Sequence, residues 1–342
     1  MRVFPEYNGA MAIWPEVAAL PGVGEALSRL QADYTLFVAT NAAHSSAAEV
    51  GAALRRIGLD SFFEDIFTSE KLDGFRKPEM TYFQGIERCL AKPAAVLVMI
   101  GDDYNVDVLG AYRAGWQSLW FNPACTACIG LTPVHNGEIY TMNDLPEVLG
   151  DLSLPGWNTC LSWMLDQGAS HNFLQHVQTV AAAAYQIAIW LRAVGEKVKP
   201  ILAQRGGLLH DLDKISVAKD ISSGENHGER AARWLSVLNQ PELAEIARRH
   251  PLFSVEDSRS RPETWEQIAV YFADKLVEGN TFVGLAPRLE ALQVRYSHHK
   301  ERIQRTIPAL ENMQAEICRH LGLSPSELMV NLNSVLLSGK AD

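Results

Sequence analysis

No stretch of this 342-residue chain is long and apolar enough to cross a bilayer, and no charged segment followed by an apolar run opens it. The expectation is a cytoplasmic protein with no membrane partner. Cysteine is scarce and odd in number, at Cys89, Cys125, Cys128, Cys160 and Cys318. A disulfide framework needs a denser, even set, so the count fits a reducing compartment. Cys125 and Cys128 form a lone CxxC, with no second pair to complete a zinc ribbon. Positive charge is short as well: 30 Lys and Arg against 40 Asp and Glu leave a formal charge of −10. That balance argues against a broad footprint for nucleic-acid backbone. Small phosphorylated ligands stay open, because a bound cation reverses the local field. Internal repeats are lacking. Aspartate is missing from the opening MRVFPEYNGAMAIWPEV, and the first one is Asp33.

What is present is length enough for two domains, each with its own core. TLFVAT (35–40) and AVLVMI (95–100) are nearly continuous apolar runs, as strands buried on both faces of a parallel sheet require. AEVGAALRRIG (48–58) and MTYFQGIERCLA (80–91) between them have helical spacing, and QSLWFNP after Gly115 reads as a further strand. Residues 1–123 are therefore an α/β domain. Residues 124–156 hold Pro, Gly and Asn without a sustained period and read as a connector. From 157 to 342 the periods are helical and no good strand appears, as in VQTVAAAAYQIAIWLRAVG (177–195) and ETWEQIAVYFADKLVEG (263–279). Ser324 and Glu327 have capping-box spacing ahead of the last helix. The second domain is all-α.

In the α/β half, Thr40 and Asn41 close one strand and Asp102 another, where open α/β sheets place their ligands. Thr40 can donate to a phosphate oxygen, Lys77 can add positive charge, and Asp102, Asp103 and Asp107 can hold a hard cation such as Mg²⁺. VATN, RKP and IGDDYNVDVLGA, with the AYRAGW that follows, resemble the second, third and fourth motifs of the haloacid-dehalogenase (HAD) superfamily. The resemblance covers about residues 20–122. It implies a Rossmann-type parallel sheet, with Thr40 on phosphate, Lys77 steadying the intermediate and Asp102 on Mg²⁺. The family's first motif, DxDGT, carries the nucleophilic aspartate on a central strand, and it is not in this sequence. Either the chain starts downstream of it or the domain is a scaffold that keeps a vestigial Mg²⁺ or phosphate site. Covalent catalysis has no nucleophile here.

In the helical half, LLHDLDKIS (208–216) sets His210, Asp211 and Lys214 in an apolar context, where ionisable groups need partners. Adjacent His210 and Asp211 can reach one metal site. His176, His227, His250 and Asp274 lie on other helices as further candidates. Imidazoles with carboxylates suit borderline transition ions such as Mn, Fe, Co, Ni or Zn. The order H…HD…H…H…D resembles the HD-domain metal-dependent phosphohydrolases, and HDLDKI is close to their HDIGK signature, with Asp213 in place of the glycine. That resemblance covers about residues 170–300 and implies a helical bundle. His176, His210, Asp211 and Asp274 would hold one divalent ion, and Asp211 would bridge to a second held by His227 and His250. His176 rather than His171 has the VxxVA helix in the matching register. Lys214 would stabilise phosphoryl oxygens, and no covalent intermediate would be needed.

The expected function is therefore metal-dependent hydrolysis of a small phosphomonoester or phosphodiester, with a nucleotide as the substrate that the resemblance suggests. A HAD phosphatase with a missed start, or a non-catalytic nucleotide or metal sensor, are the rivals. His298, His299 and His320, in a polar stretch, are read as solvated.

Overall fold

The computed structural model describes residues 9–42, 44–126, 133–215 and 227–338. Cys128 lies outside them. The chain forms two compact units, Met1–Pro123 with Val134–Leu152, and Ala124–Pro133 with Ser153–Asp342.

The first unit alternates helices with short parallel strands: α1 (Val23–Leu30), β1 (Phe37–Ala39), α2 (Ala47–Arg56), β2 (Asp65–Phe67), α3 (Met80–Leu90), β3 (Val98–Gly101), α4 (Leu109–Arg113), β4 (Gln117–Phe121), β5 (Gly137–Ile139) and α5 (Leu145–Gly150). Strand alternation divides its core. Phe37 and Ala39 join the cluster around Phe67, Tyr82, Phe83 and Met99, while Leu36 and Val38 join the one around Val50 and Leu54. The helix after β1 starts where Ser46 and Glu49 close a reciprocal capping box. β1 pairs with β2, and β3, β4 and β5 form a second parallel ladder; among the described residues no pairing joins the two ladders.

The segment expected as a connector is not one throughout. Residues 134–152 belong to the first unit and supply β5, paired with β4, and α5. The strand is only three residues long and carries a buried Glu138, whose carboxylate takes His135 Nε2 at 2.8 Å and the Tyr140 hydroxyl at 2.6 Å. A buried acid hides the apolar signal of so short a strand.

The second unit is built from α6 (Trp157–Asp166), α7 (His171–Ala193), α8 (Pro200–Leu209), α9 (His227–Val237), α10 (Pro241–Arg249), α11 (Trp265–Asp274), α12 (Leu285–Arg295), α13 (Lys300–Leu321) and α14 (Pro325–Ser338). Over its later turns, from Val180 to Leu191, α7 is apolar on every side but for the buried Gln186, and a helix of that kind must sit inside. α8 and α11 pack on it. The approach of α8 depends on Gly207, where a Cβ would lie 2.6 Å from Ala181 Cα. This contact puts the end of α8 beside the first half of α7.

The helix expected over 263–279 stops at Asp274, and a two-residue hairpin follows, β6 (Val277–Glu278) against β7 (Thr281–Phe282). Gly279 turns it with φ of 58°, a conformation that other residues adopt only at a cost. Strands this short fall below any period a sequence can show.

Candidate metal centre

Four elements of the second unit end, or pass, at one point. His210 caps the C-terminus of α8, His250 caps that of α10, Asp274 is the last residue of α11, and His176 lies near the start of α7. Helix C-termini carry partial negative charge, which favours a cation at this meeting place.

Each imidazole is oriented by its own main-chain contact. His176 Nδ1 lies 2.6 Å from the Gly279 carbonyl oxygen at the hairpin turn, His210 Nδ1 2.8 Å from that of Gly207, and His250 Nδ1 2.6 Å from that of Ala247. A carbonyl only accepts, so each ring donates through Nδ1 and keeps Nε2 for the centre. The Nε2 atoms of His176 and His210 sit 3.5 and 3.7 Å from Asp274 Oδ1, and 3.9 and 3.3 Å from Asp211 Oδ2. His250 Nε2 lies 2.9 Å from the other Asp211 oxygen, Oδ1. Asp211 thus turns one oxygen to His176 and His210 and the other to His250. His176, His210 and Asp211 offer ligand atoms within 4.8 Å of one another, the one such group among the described residues.

Charge in this buried cluster is carefully offset. Burial works to raise the Asp211 carboxyl, but His210 and Lys214 overcome it and hold the group well below the usual carboxylate range. Asp274 is likewise pushed up by burial and drawn well down, first by Lys275 and then by His176 and His210. For His210 burial lowers the pKa, yet Asp211 and Asp274 outweigh it and bring it up to about 9. Burial dominates at His250 and takes it down to about 4 despite Asp211. Both carboxylates are therefore ionised at neutral pH. His210 Nε2 is buried and has no well-directed hydrogen-bond partner among the described residues, although carboxylate oxygens stand close. An orphaned imidazole nitrogen among carboxylates, in an N and O donor set, fits a borderline divalent ion.

Lys214 Nζ is 2.6 Å from Asp211 Oδ2 with its side chain 48% exposed, so it sits at the rim. The side chain of His227 lies outside the described residues; the helix it opens, α9, is described. Sequence reasoning missed two contributors. Lys275 is buried, pairs with Asp274 and donates to the His250 carbonyl oxygen at 3.0 Å. A second charge beside Asp274 in the apolar FADKL was the signal for it. Gly279 acts through its carbonyl, for which no side chain could speak.

The first-unit candidates come to a different end. Lys77 Nζ donates to Asp107 Oδ1 at 2.6 Å and to the Ala39 carbonyl oxygen at 2.9 Å. Asn41 binds the Lys77 backbone through both ends of its amide, at 2.8 and 2.9 Å. The Thr40 hydroxyl accepts from the Ala42 amide at 3.2 Å. Asp103 caps the π-helical turn Tyr104–Val108 by accepting from Asn105 and Val106, and Asp107 Oδ2 accepts from the Asp103 amide. Asp102 is exposed. The three aspartates do not converge on one point.

Residues 1–115 match the family model of the haloacid dehalogenase-like hydrolases, and residues 173–279 match that of the HD domain. The HAD-hydrolase YfnB of Bacillus subtilis is 35% identical over 105 residues, 30% of this chain and 43% of that protein. The pyrimidine 5'-nucleotidase PynA of Streptococcus pneumoniae is 33% identical over 97 residues, 28% of this chain and 39% of that protein. The magnesium-bound crystal structure of YfnB superposes with a TM-score of 0.33 at 32% identity, covering 38% of this chain and 55% of that one. The chain spans less than half the length of these curated relatives.

Proposed function

We propose that this chain, which joins a haloacid dehalogenase-like segment to an HD domain, is a metal-dependent phosphohydrolase whose chemistry lies in the second unit. The observation that carries the reading is the convergence of three oriented imidazoles on two buried, ionised carboxylates. His176, His210, Asp211 and Asp274 would hold one divalent transition ion, and Asp211 Oδ1 with His250 and His227 a second. Ions bound there supply Lewis acidity, which polarises phosphoryl oxygens and makes water a nucleophile at neutral pH.

The chain's own residues do the rest. The main-chain oxygens fix each ring with its Nε2 inward, so no ligand has to reorient, although His210 would have to give up its Nε2 proton to bind an ion. Asp211 and Asp274 arrive without a proton to lose. Partial desolvation works against the Lys214 charge, but Asp211 and Asp274 keep its pKa above the ordinary lysine value. It therefore stays cationic at the rim and can meet phosphoryl oxygens as negative charge builds there.

The substrate is a small phosphomonoester or phosphodiester. One matched relative is named as a pyrimidine 5'-nucleotidase, which puts nucleotides first in a panel. The first unit serves as scaffold or regulator. Its candidate carboxylates Asp102, Asp103 and Asp107 do not gather at one point, and Asp107 is held by Lys77. The free thiols of Cys89, Cys160 and Cys318 fit a reducing, cytoplasmic setting.

The test is Mn²⁺-dependent phosphate release from nucleotides and other phosphoesters by wild type, Asp211→Ala and Asp102→Asn. Asp211→Ala should fall to background and Asp102→Asn should match wild type. Loss of turnover in Asp102→Asn instead would move the chemistry to the first unit.

A further inference from the structure

The first turn of α9 is fastened at three successive residues. A Cβ on Gly228 would lie 2.7 Å from the Ala247 carbonyl oxygen and 3.0 Å from that of Arg248, so α9 meets the end of α10 as closely as only glycine allows. His250 caps α10 at that same end. Glu229 accepts from Arg248 Nε at 3.0 Å. Arg230 donates to Asp213 Oδ2 at 2.9 Å.

These fastenings are unequal. Arg248 and Glu229 are 33% and 45% exposed, and pairs of that kind contribute little. The Asp213 side chain is 5% exposed, and its Oδ1 has no hydrogen-bond partner among the described residues. Arg230 therefore compensates a buried charge, and losing it would leave that charge stranded. Asp213 also stands between Asp211 and Lys214, so the pair ties α9 directly to the metal-binding turn. His227 opens the same helix, three residues before Arg230 in the sequence. The glycine that HDIGK has at this position could not make the tie.

We propose that the Asp213–Arg230 ion pair is a positioning latch: it holds the first turn of α9, and with it His227, where a second divalent cation shared with His250 and Asp211 requires it. This rests on the two-ion reading above. Asp213 and Arg230 are positioning residues and need not touch either ion.

Calorimetric titration with Mn²⁺ tests it without recourse to activity. Wild type should bind two ions, and His227→Ala one. Asp213→Asn and Arg230→Met should weaken the second ion about tenfold or more while leaving the first unchanged. The swapped pair Asp213→Arg with Arg230→Asp should recover part of the loss, which general damage to the fold would not allow. Thermal denaturation of each variant confirms that it is folded. Two undisturbed ions in both single variants, or equal weakening of both ions, overturns the latch. One ion in wild type, unaffected by His227→Ala, overturns the latch but leaves the hydrolase reading standing. A wild type that binds no ion sinks both.

Discussion

Each unit of the chain holds a cluster of aspartates with a lysine, and the two clusters differ in where their remaining bonding capacity points. In the first, Asp107 is bound by Lys77 and the Asp103 amide, and Asp103 is spent on capping a turn. The cluster satisfies itself. In the second, main-chain carbonyls occupy the outer nitrogens of His176, His210 and His250, and the inner nitrogens face two carboxylates. Lys214 and Lys275 pair with those carboxylates, yet His210 Nε2 keeps no well-directed partner among the described residues. Proximity of carboxylates is thus a poor guide to a cation site; the direction of the donors left over is a better one.

The comparison can be broken most forcefully in the first unit. Lys77 and Asp107 are each less than a tenth exposed. Asp107→Ala strands a buried ammonium and should cost about 3–5 kcal/mol of stability, read by urea denaturation, with turnover of the folded fraction unchanged. A drop in turnover per folded molecule would show that this cluster still takes part in the chemistry.

In the second unit the contrast is sharpened by Lys214→Ala. Its side chain is half exposed but its ammonium pairs with buried Asp211, so the metal-free protein should lose some stability, whereas kcat of the Mn²⁺-loaded protein should fall about a hundredfold with Mn²⁺ affinity retained. An unchanged kcat would make Lys214 a surface charge.

The smallest effect is in pH dependence after chelation. The pKa of His210, up to about 9, lies above the ordinary 6.5, so its contribution to stability is whole below pH 6.5 and is lost as pH rises through 9. That of His250, down to about 4, lies below the ordinary value, so its contribution is whole above pH 6.5 and is lost as pH falls through 4. Chelated protein should therefore melt highest near pH 6.5. His250→Asn should flatten the acid limb of the Tm profile; an acid limb identical to wild type would assign that loss to other groups.

Much of this was legible in the sequence because burying a charge is expensive. His210, Asp211 and Asp274 stand out in apolar helices for that reason, and His176 follows from its register in α7. The two-unit plan likewise follows from strand periods giving way to helical ones. β5 was hidden by its length and by Glu138, and the β6–β7 hairpin by two-residue strands. The Lys77–Asp107 pair joins positions 30 apart in the chain, and no pattern in RKP or GDDYNVD tells a paired aspartate from a free one. The Asp213–Arg230 tie is hidden the same way.

The three carbonyls that orient the imidazoles have a consequence for how this protein can change over time. A side-chain partner can be replaced by a single substitution, but the oxygens of Gly279, Gly207 and Ala247 belong to the main chain and survive any exchange of residue that the backbone tolerates. Ring tautomer is thereby inherited with the fold. Lineages can vary the rim around Lys214 while the inward nitrogens of His176, His210 and His250 stay aimed, so specificity is free to drift where metal chemistry is not.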